Sequence, residues 1–388
     1  MIQTSRRLQE LPTQFFANLV RQVNQKIAEG KDVINLGQGN PDQPTPPGII
    51  QTLQQAAEKP ANHKYSQFRG NHFFKQAAAD FYLEHYGVTL DPETEIAVMG
   101  GSKIGLVELP LALLNPEDSI LLPDPGYPDY LSGVVLAQVQ QEFLPLLPEN
   151  GYLPDYSKLS QEVLEKAKLL FLNYPNNPTG AQATADFFDE TVAFAKNHEI
   201  AVVHDFAYGA LGTEQEAPIS FLQSAGAKEV GVELYTLSKT YNMAGWRVAF
   251  AAGNAEIIEA INVIQDHLFV GLFPALQEAG AYALTNNENV EALVALYNRR
   301  RNVFVKAAAA IGWQAYPSTG AFYTWMPVPK GYTSVSFANF LLEEVAVAVA
   351  PGSGFGDGGE GYVRIGLLVE EARLEEAIKR IATLQLIF

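Results

Sequence analysis

The chain has 388 residues, 47% hydrophobic and 18% charged, a composition that allows one large core or two smaller ones and is not that of a disordered protein. Its formal net charge of −17 argues against a nucleic-acid partner, because phosphate backbones favour basic faces. The absence of cysteine excludes disulfides, thiolate catalysis and cysteine-ligated zinc, and is compatible with a reducing cytoplasm.

The opening residues, MIQTSRRLQELPTQFF, lack the apolar core of a signal peptide, and no run approaches the roughly 18 apolar residues of a membrane span. The expectation is a soluble, cytoplasmic protein with no membrane partner. Residues 14–29, QFFANLVRQVNQKIAE, repeat apolar side chains at helical spacing and stop at Gly30. Phe15 and Phe16 there would either line an apolar pocket or form a buried helix face. The segment 32–48, DVINLGQGNPDQPTPPG, reads as a short strand entering a Pro/Gly-rich loop.

From about 70 to 270, short apolar runs alternate with helix-like stretches. The strand candidates are EIAVM (95–99), SILL (119–122), KLLFLN (168–173), EIAVVHD (199–205) and VELYTLS (232–238). Near-continuous apolar strands separated by helices predict an α/β fold with a mostly parallel sheet covered on both faces. Helical patterns follow at 255–268 and 286–311, then the short strands FYTWM, VAVAVA and YVRIGL and a closing helix near 369–384. The expected organisation is a large domain over 48–288 and a smaller α+β domain from 1–47 and 289–388, with the long helix straddling the junction.

Several stretches carry chemistry. In 99–114, MGGSKIGLVELPLALL, a Gly-Gly-Ser turn between strand and helix would present backbone N–H groups to a phosphate, or simply connect the two elements. Asp205 ends an apolar strand, where ligands gather in open α/β sheets; it would face a cationic group, cap a helix or join an ion pair. Tyr127, in PDPGYPDY, offers a flat ring after another strand end, and NYPNNPTG (173–180) places amides in a turn. Arg364 sits inside an apolar strand, where it would hold a carboxylate ligand or an internal acid. In 235–250, YTLSKTYNMAGWRVAF, Lys239 and Arg247 enter a segment that otherwise reads as buried, and a lysine in such a place can act as an amine nucleophile. The histidines, His204 included, show no metal-ligand spacing, so no metal is expected. A single phosphorylated, cationic heteroaromatic aldehyde would use all these features together, and pyridoxal 5′-phosphate is such a molecule.

NNPTG (176–180), the D-x-x-Y of 205–208, S-K-x(7)-R at 238–247 and the arginine of YVRIGL occur in the order found in class I/II aminotransferases, and the sequence resembles that family. It is similar in particular to the methionine-salvage aminotransferases, through QFFANLVR, INLGQGNPDQPTP, HKYSQFRG, LPDPGYPDY, LNYPNNPTG, VVHDFAYGA and YTLSKTYNMAGWRV. The resemblance implies pyridoxal-phosphate fold type I, with a mostly parallel seven-stranded sheet in the large domain. It implies that Lys239 anchors the coenzyme covalently and shuttles a proton, while Asp205 holds the pyridine nitrogen. Tyr208 and Asn177 would bond the phenolate oxygen, and Tyr127 would cover the ring. Gly101, Ser102, Lys103, Thr236, Ser238 and Arg247 would surround the phosphate, so that Arg247 gains a partner for a buried charge. Tyr65 would reach the phosphate of the neighbouring subunit in a homodimer with shared active sites. Arg364 would clamp the substrate α-carboxylate, helped by Asn177 and the backbone near Gly39.

The implied reaction is a ping-pong transamination between an L-amino acid and a 2-oxo acid, with 4-methylthio-2-oxobutanoate converted to methionine and glutamine or another amino acid as donor. A broad aminotransferase for aromatic, branched-chain or other neutral amino acids is the nearest alternative. A coenzyme-dependent β-lyase or decarboxylase, or a non-enzymatic binder on the same fold, stands further off.

Overall fold

Strand-forming runs that are apolar on both faces assemble into one sheet in the computed structural model, which describes residues 2–13 and 15–388. Gln14, the first residue of the expected N-terminal helix, lies outside the described residues; the helix runs Phe15–Ala28. In chain order the strands are β1 (Ile34–Asn35), β2 (Ile96–Met99), β3 (Ser119–Asp124), β4 (Gln140–Pro145), β5 (Ala167–Leu172) and β6 (Ala201–Asp205). They continue with β7 (Gly231–Thr236), β8 (Ala249–Gly253), β9 (Tyr323–Pro327), β10 (Val347–Ala348), β11 (Ala350–Pro351) and β12 (Tyr362–Gly366).

The main sheet has seven strands in the order β2-β8-β7-β6-β5-β3-β4. Strand β8 runs antiparallel to both neighbours and every other pairing is parallel, so β2, β3, β5, β6 and β7 point their carboxyl ends the same way. Two strands escaped the sequence reading. The edge strand β4, QQEFLP, is largely exposed and therefore lacks an apolar run, and β8, AFAAG, is built of small residues. One apolar core lies on each face of the sheet, one around Phe74, Tyr82 and Phe188, the other around Leu106, Leu109 and Ile258.

A separate core gathers Ile34, Leu36, Phe304, Trp313, Phe337, Ile365 and Leu374. Its strands form a three-stranded antiparallel sheet, β11-β12-β9, and a parallel pair in which Ile34 faces Val347. The VAVAVA run, expected as one strand, is divided between β10 and β11, which pair with different partners. The helical pattern expected at 286–311 begins only at Val290, and the helix that precedes it was not among the expected elements. Pro274–Asn286 is one helix and Val290–Ala310 the next, with Asn287 and Asn289 between them at φ 48° and 65°, a left-handed region that asparagine tolerates. The second of these helices starts in the Phe74 core with Val290 and ends in the Trp313 core with Phe304 and Ala308. Among the described residues no helix is long and apolar enough to cross a membrane.

The loop after β1 is tied to that helix. Arg300, 2% exposed, donates through Nη1 to Asp42 Oδ1 at 2.9 Å, through Nη2 to Oδ2 at 2.8 Å, and to the Leu367 carbonyl at 3.0 Å. Burial alone would raise the Asp42 carboxyl, but the Arg300 hydrogen bonds and charge outweigh it and hold the group below its ordinary value. The pair therefore stabilises the fold fully above the unfolded-state range near pH 4 and loses that contribution as pH falls through the lower folded value. Asp42→Ala strands a buried guanidinium and should cost about 3 kcal/mol, with less cost at pH 3.5 than at pH 7. Urea unfolding at both pH values measures this; equal costs would remove the pair from the pH dependence.

Candidate active site

The carboxyl ends of parallel strands carry unpaired backbone groups and outward-facing side chains, and here five such ends open onto one cavity of about 700 Å³. Its floor holds Ser102, Tyr127, Asn173, Asp205 and Thr236, each at or just beyond the end of β2, β3, β5, β6 or β7. The opposite wall comes from outside that sheet: Gly39 on the β1 loop, Tyr323 on β9 and Arg364 on β12. Phe16, Leu19 and Val20 of the helix Phe15–Ala28 add an apolar side.

VELYTLS, expected as strand throughout, stops at Thr236. The Thr236 hydroxyl accepts the Ser238 N–H at 3.2 Å and caps a single helical turn, Leu237–Thr240. That turn swings Lys239 out of the sheet and into the cavity, where Nζ donates to the Gly39 carbonyl at 2.9 Å. Burial, then the charges of Arg364 and Arg247, push the ammonium down to about 8 against the opposing pull of Asp205. An amine so placed is partly unprotonated near neutrality and is a competent nucleophile and base.

Asp205 is 6% exposed. Tyr130 donates its hydroxyl to Oδ2 at 3.0 Å, Asn173 Nδ2 holds the Asp205 carbonyl at 2.7 Å, and Oδ1 has no partner. Burial raises the carboxyl to about 6, with Tyr130, His204 and Lys239 opposing. A buried acceptor left open toward a cavity fits a ligand that brings a donor or a cation.

An anion cradle lies beside it. Helix Ser102–Leu113 starts at Gly101, which has φ +95° and no side-chain cap, so its first N–H groups are free for a ligand. A Cβ at Gly101 would collide with the Arg247 guanidinium, so this glycine frames the cradle without lining the cavity. Ser102, Thr236, Ser238 and Arg247 do line it. Arg247 corrects the expectation of a buried charge: the residue is exposed at the cavity lip, held at φ 56° with Nη1 donating to the Ala244 carbonyl at 2.9 Å. The turn 244–246 lifts it out of the apolar segment on which the expectation rested.

Arg364 is 1% exposed, and its acceptors are neutral: Asn177 Oδ1 at 2.7 Å and the Gly37 carbonyl at 3.1 Å. Its Nε is unpartnered, and its guanidinium carbon lies 4.1 Å from the Tyr323 ring centroid and 4.7 Å from that of Phe355. Of the two earlier readings, an internal acid finds no counterpart among these contacts. The loop 173–180 is set by its own amides, with the Asn177 N–H on Asn173 Oδ1 at 2.8 Å and Thr179 Oγ1 on Asn176 Oδ1 at 2.7 Å. Tyr208 shares a 3.1 Å hydroxyl contact with Tyr323. Tyr127 donates to Asp129 Oδ2 at 2.6 Å, and Lys103 Nζ meets the same oxygen at 2.5 Å.

The cavity thus brings together Gly39, Ser102, Lys103, Tyr127, Asn177, Asp205, Tyr208, Thr236, Ser238, Lys239, Arg247 and Arg364. Tyr65 is not among them; it is 88% exposed on this chain's surface. Sequence reasoning missed Asn173, Asp129, Tyr130 and Tyr323, although the first three stand inside motifs it had singled out. Phe16 joins the cavity wall, 5.2 Å from the Arg364 guanidinium carbon. No group of three or more potential metal ligands occurs among the described residues.

A family model described as aminotransferase class I and II matches residues 31–381. The chain belongs to the class I and II aminotransferases. It is 60% identical over 380 residues to the L-glutamine–4-(methylsulfanyl)-2-oxobutanoate aminotransferase of Bacillus subtilis (strain 168), covering 98% of this chain and 96% of that one. It is 44% identical to the LL-diaminopimelate aminotransferase of Moorella thermoacetica, with 98% of each chain covered. The structure of substrate-bound BacF from Bacillus subtilis aligns with a TM-score of 0.97 at 47% identity, over 100% of this chain and 99% of that one. As an aminotransferase, the chain moves an amino group between an amino acid and an oxo acid.

The raised carboxyl of Asp205 has a stability consequence. Below about pH 4 both folded and unfolded chains are protonated there; between about 4 and 6 only the unfolded chain ionises, and above 6 the ligand-free fold carries the whole penalty, about 3 kcal/mol. Asp205→Asn should therefore raise the stability of the ligand-free aminotransferase by about 2–3 kcal/mol at pH 7.5 and by little at pH 4. Urea midpoints at the two pH values decide it, and a variant destabilised at pH 7.5 would contradict the assignment.

Proposed function

We propose that the cavity holds pyridoxal 5′-phosphate and that this aminotransferase converts 4-methylthio-2-oxobutanoate to methionine, with glutamine or another amino acid as donor. The observation that carries the coenzyme is the buried, unpartnered Asp205 Oδ1 sharing a cavity with Lys239 Nζ and an uncapped helix N-terminus. Asp205 would hold the ring nitrogen, Tyr208 and Asn177 the phenolic oxygen, and Tyr127 the ring face. The phosphate would lie on the N–H groups after Gly101, with Ser102, Thr236, Ser238 and Arg247 around it. Bound there, the coenzyme supplies an electron sink for the carbanion at the substrate Cα.

The remaining work belongs to the chain. Lys239 Nζ would hold the coenzyme's carbonyl carbon covalently and, once the substrate amine has displaced it, would as a free amine take the Cα proton and deliver it to that same coenzyme carbon. Its depressed ammonium lets it do both near neutrality. Arg364 orients the α-carboxylate with Asn177 and the backbone at Gly39, where a Cβ would press on the Tyr323 hydroxyl. The Phe16–Leu19–Val20 side would receive an uncharged substrate side chain and exclude water. The thioether substrate is supported by the name of the relative at 60% identity. A wider set of aromatic, branched-chain or other neutral amino acids is the second reading, favoured by the apolar side chains of Phe16, Leu19 and Val20.

A homodimer is part of the proposal: the exposed Tyr65 would complete the neighbouring copy's phosphate site. So is the division at 48–288 against 1–47 and 289–388, which the separate Trp313 core supports. A cytoplasmic location and small-molecule partners complete it.

Purified enzyme should transfer nitrogen from glutamine to 4-methylthio-2-oxobutanoate, with the coenzyme absorbance changing on each half-reaction. Ammonia release without an oxo-acid acceptor would favour a lyase instead. Lys239→Ala should abolish steady-state turnover, and near-normal turnover would remove it from the mechanism. Arg364→Ala should weaken kcat/KM for several amino acids by about 2–5 kcal/mol, a loss that kinetics on a substrate series would register.

A further inference from the structure

Tyr323 lines the cavity from β9, and no role has yet been given to it. The antiparallel register sets it opposite Gly366 and sets Trp325 opposite Arg364. Diagonal neighbours on paired strands share a face, and Gly366 brings no side chain between them. The Tyr323 ring therefore lies over the Arg364 guanidinium, with 4.1 Å between ring centroid and carbon. So anchored, the ring carries its hydroxyl to within 3.1 Å of the Tyr208 hydroxyl, and among the described residues neither has another hydrogen-bond partner. Both side chains are buried, and the Gly39 backbone closes in on the Tyr323 oxygen, where a Cβ would stand only 2.7 Å away.

We infer that Tyr323 is a positioning residue for the transamination: its hydroxyl donates to Tyr208 and so aims the Tyr208 proton at the coenzyme's phenolic oxygen. The inference rests on the coenzyme site proposed above and deepens it. An ionised phenolic oxygen only accepts hydrogen bonds, so Tyr208 gives it the one proton it has. The Tyr208 oxygen is then left with its lone pairs, and the donor within reach of them is the Tyr323 hydroxyl. A donor that itself accepts a hydrogen bond is polarised and donates more strongly. Tyr323 thereby strengthens the bond from Tyr208 without touching the coenzyme. The charged groups facing Tyr208 are Asp205, at the end of β6, and Arg364, on β12, with Lys239 in the same cavity.

The test titrates the absorbance of the coenzyme-loaded enzyme against pH, without turnover. A hydrogen bond to the phenolic oxygen draws off electron density that would otherwise hold the proton on the nitrogen joining Lys239 to the coenzyme. Weakening that bond therefore raises the pH at which the proton leaves. Tyr323→Phe keeps the ring over Arg364 and removes the hydroxyl; the midpoint should rise by about half a pH unit, a factor of about three in proton affinity. Tyr208→Phe should raise it further, and the double variant should match Tyr208→Phe alone, because Tyr323 acts through Tyr208. Replacing Tyr323 by 3-fluorotyrosine keeps the hydroxyl and makes it a stronger donor, so the midpoint should fall instead; this protein carries the test if Tyr323→Phe does not fold. A purely structural role for the ring predicts no movement in either direction. An unchanged midpoint in Tyr323→Phe or in the fluorotyrosine protein overturns the inference. Shifts that add in the double variant also overturn it, by placing Tyr323 on the coenzyme directly. A parent enzyme that takes up no coenzyme counts against the proposed function instead, and that control is read first.

Discussion

A carboxylate is held at the buried end of a parallel strand with one oxygen unanswered, and the rest of the site is arranged around that debt. Asp205 keeps Oδ1 free because Tyr130 supplies only one hydrogen bond, to Oδ2, while Asn173 fixes the backbone beneath it. In a closed core such a group would protonate or be replaced; at a cavity it is a standing demand for a cationic donor. Lys239 faces the same space, lowered by burial and by two arginines, so acid and amine are both tuned away from their solution behaviour by one environment.

The rigidity needed to hold that arrangement comes from beneath the sheet. Glu233, fully buried on β7, accepts from Tyr82 and Ser220 hydroxyls at 2.9 and 2.6 Å and from the Phe221 N–H at 2.6 Å. His204 Nδ1 lies 2.7 Å from the same carboxylate, and its Nε2 contacts the Tyr174 carbonyl at 2.9 Å. This network joins β6, β7 and the start of the 173–180 loop just under Asp205, and every oxygen of Glu233 is satisfied, which is the condition for a buried charge to be tolerated. His204 is thus a structural neighbour of the site.

The cavity lies between the seven-stranded sheet and the elements around β9 and β12, and each side contributes what the other lacks. The seven-stranded sheet provides the amine, the acid and the anion cradle. The other side provides Arg364, Gly39 and Tyr323, and the Asp42–Arg300 pair secures the loop on which Gly39 rides. Lys239, Asp205 and the Ser102 helix start belong to one sheet, while the rest of the cavity wall comes from several elements.

Much of this was legible in the sequence, because it follows from local rules. Apolar runs such as KLLFLN and EIAVVHD are strands buried on both faces, and ligand-binding side chains stand where such strands end. Ordered motifs then pointed to Lys239, Asp205, Asn177 and Arg364. The edge strand β4 and the small-residue strand β8 were invisible because partners, not composition, make them strands. Tertiary structure alone decided that Arg247 stands exposed, that Arg364 meets neutral acceptors, and that Lys103 contacts Asp129, 26 positions away. Residue identity and spacing report what a segment can do; the charge a group presents depends on what folds against it, and that is a property of three dimensions.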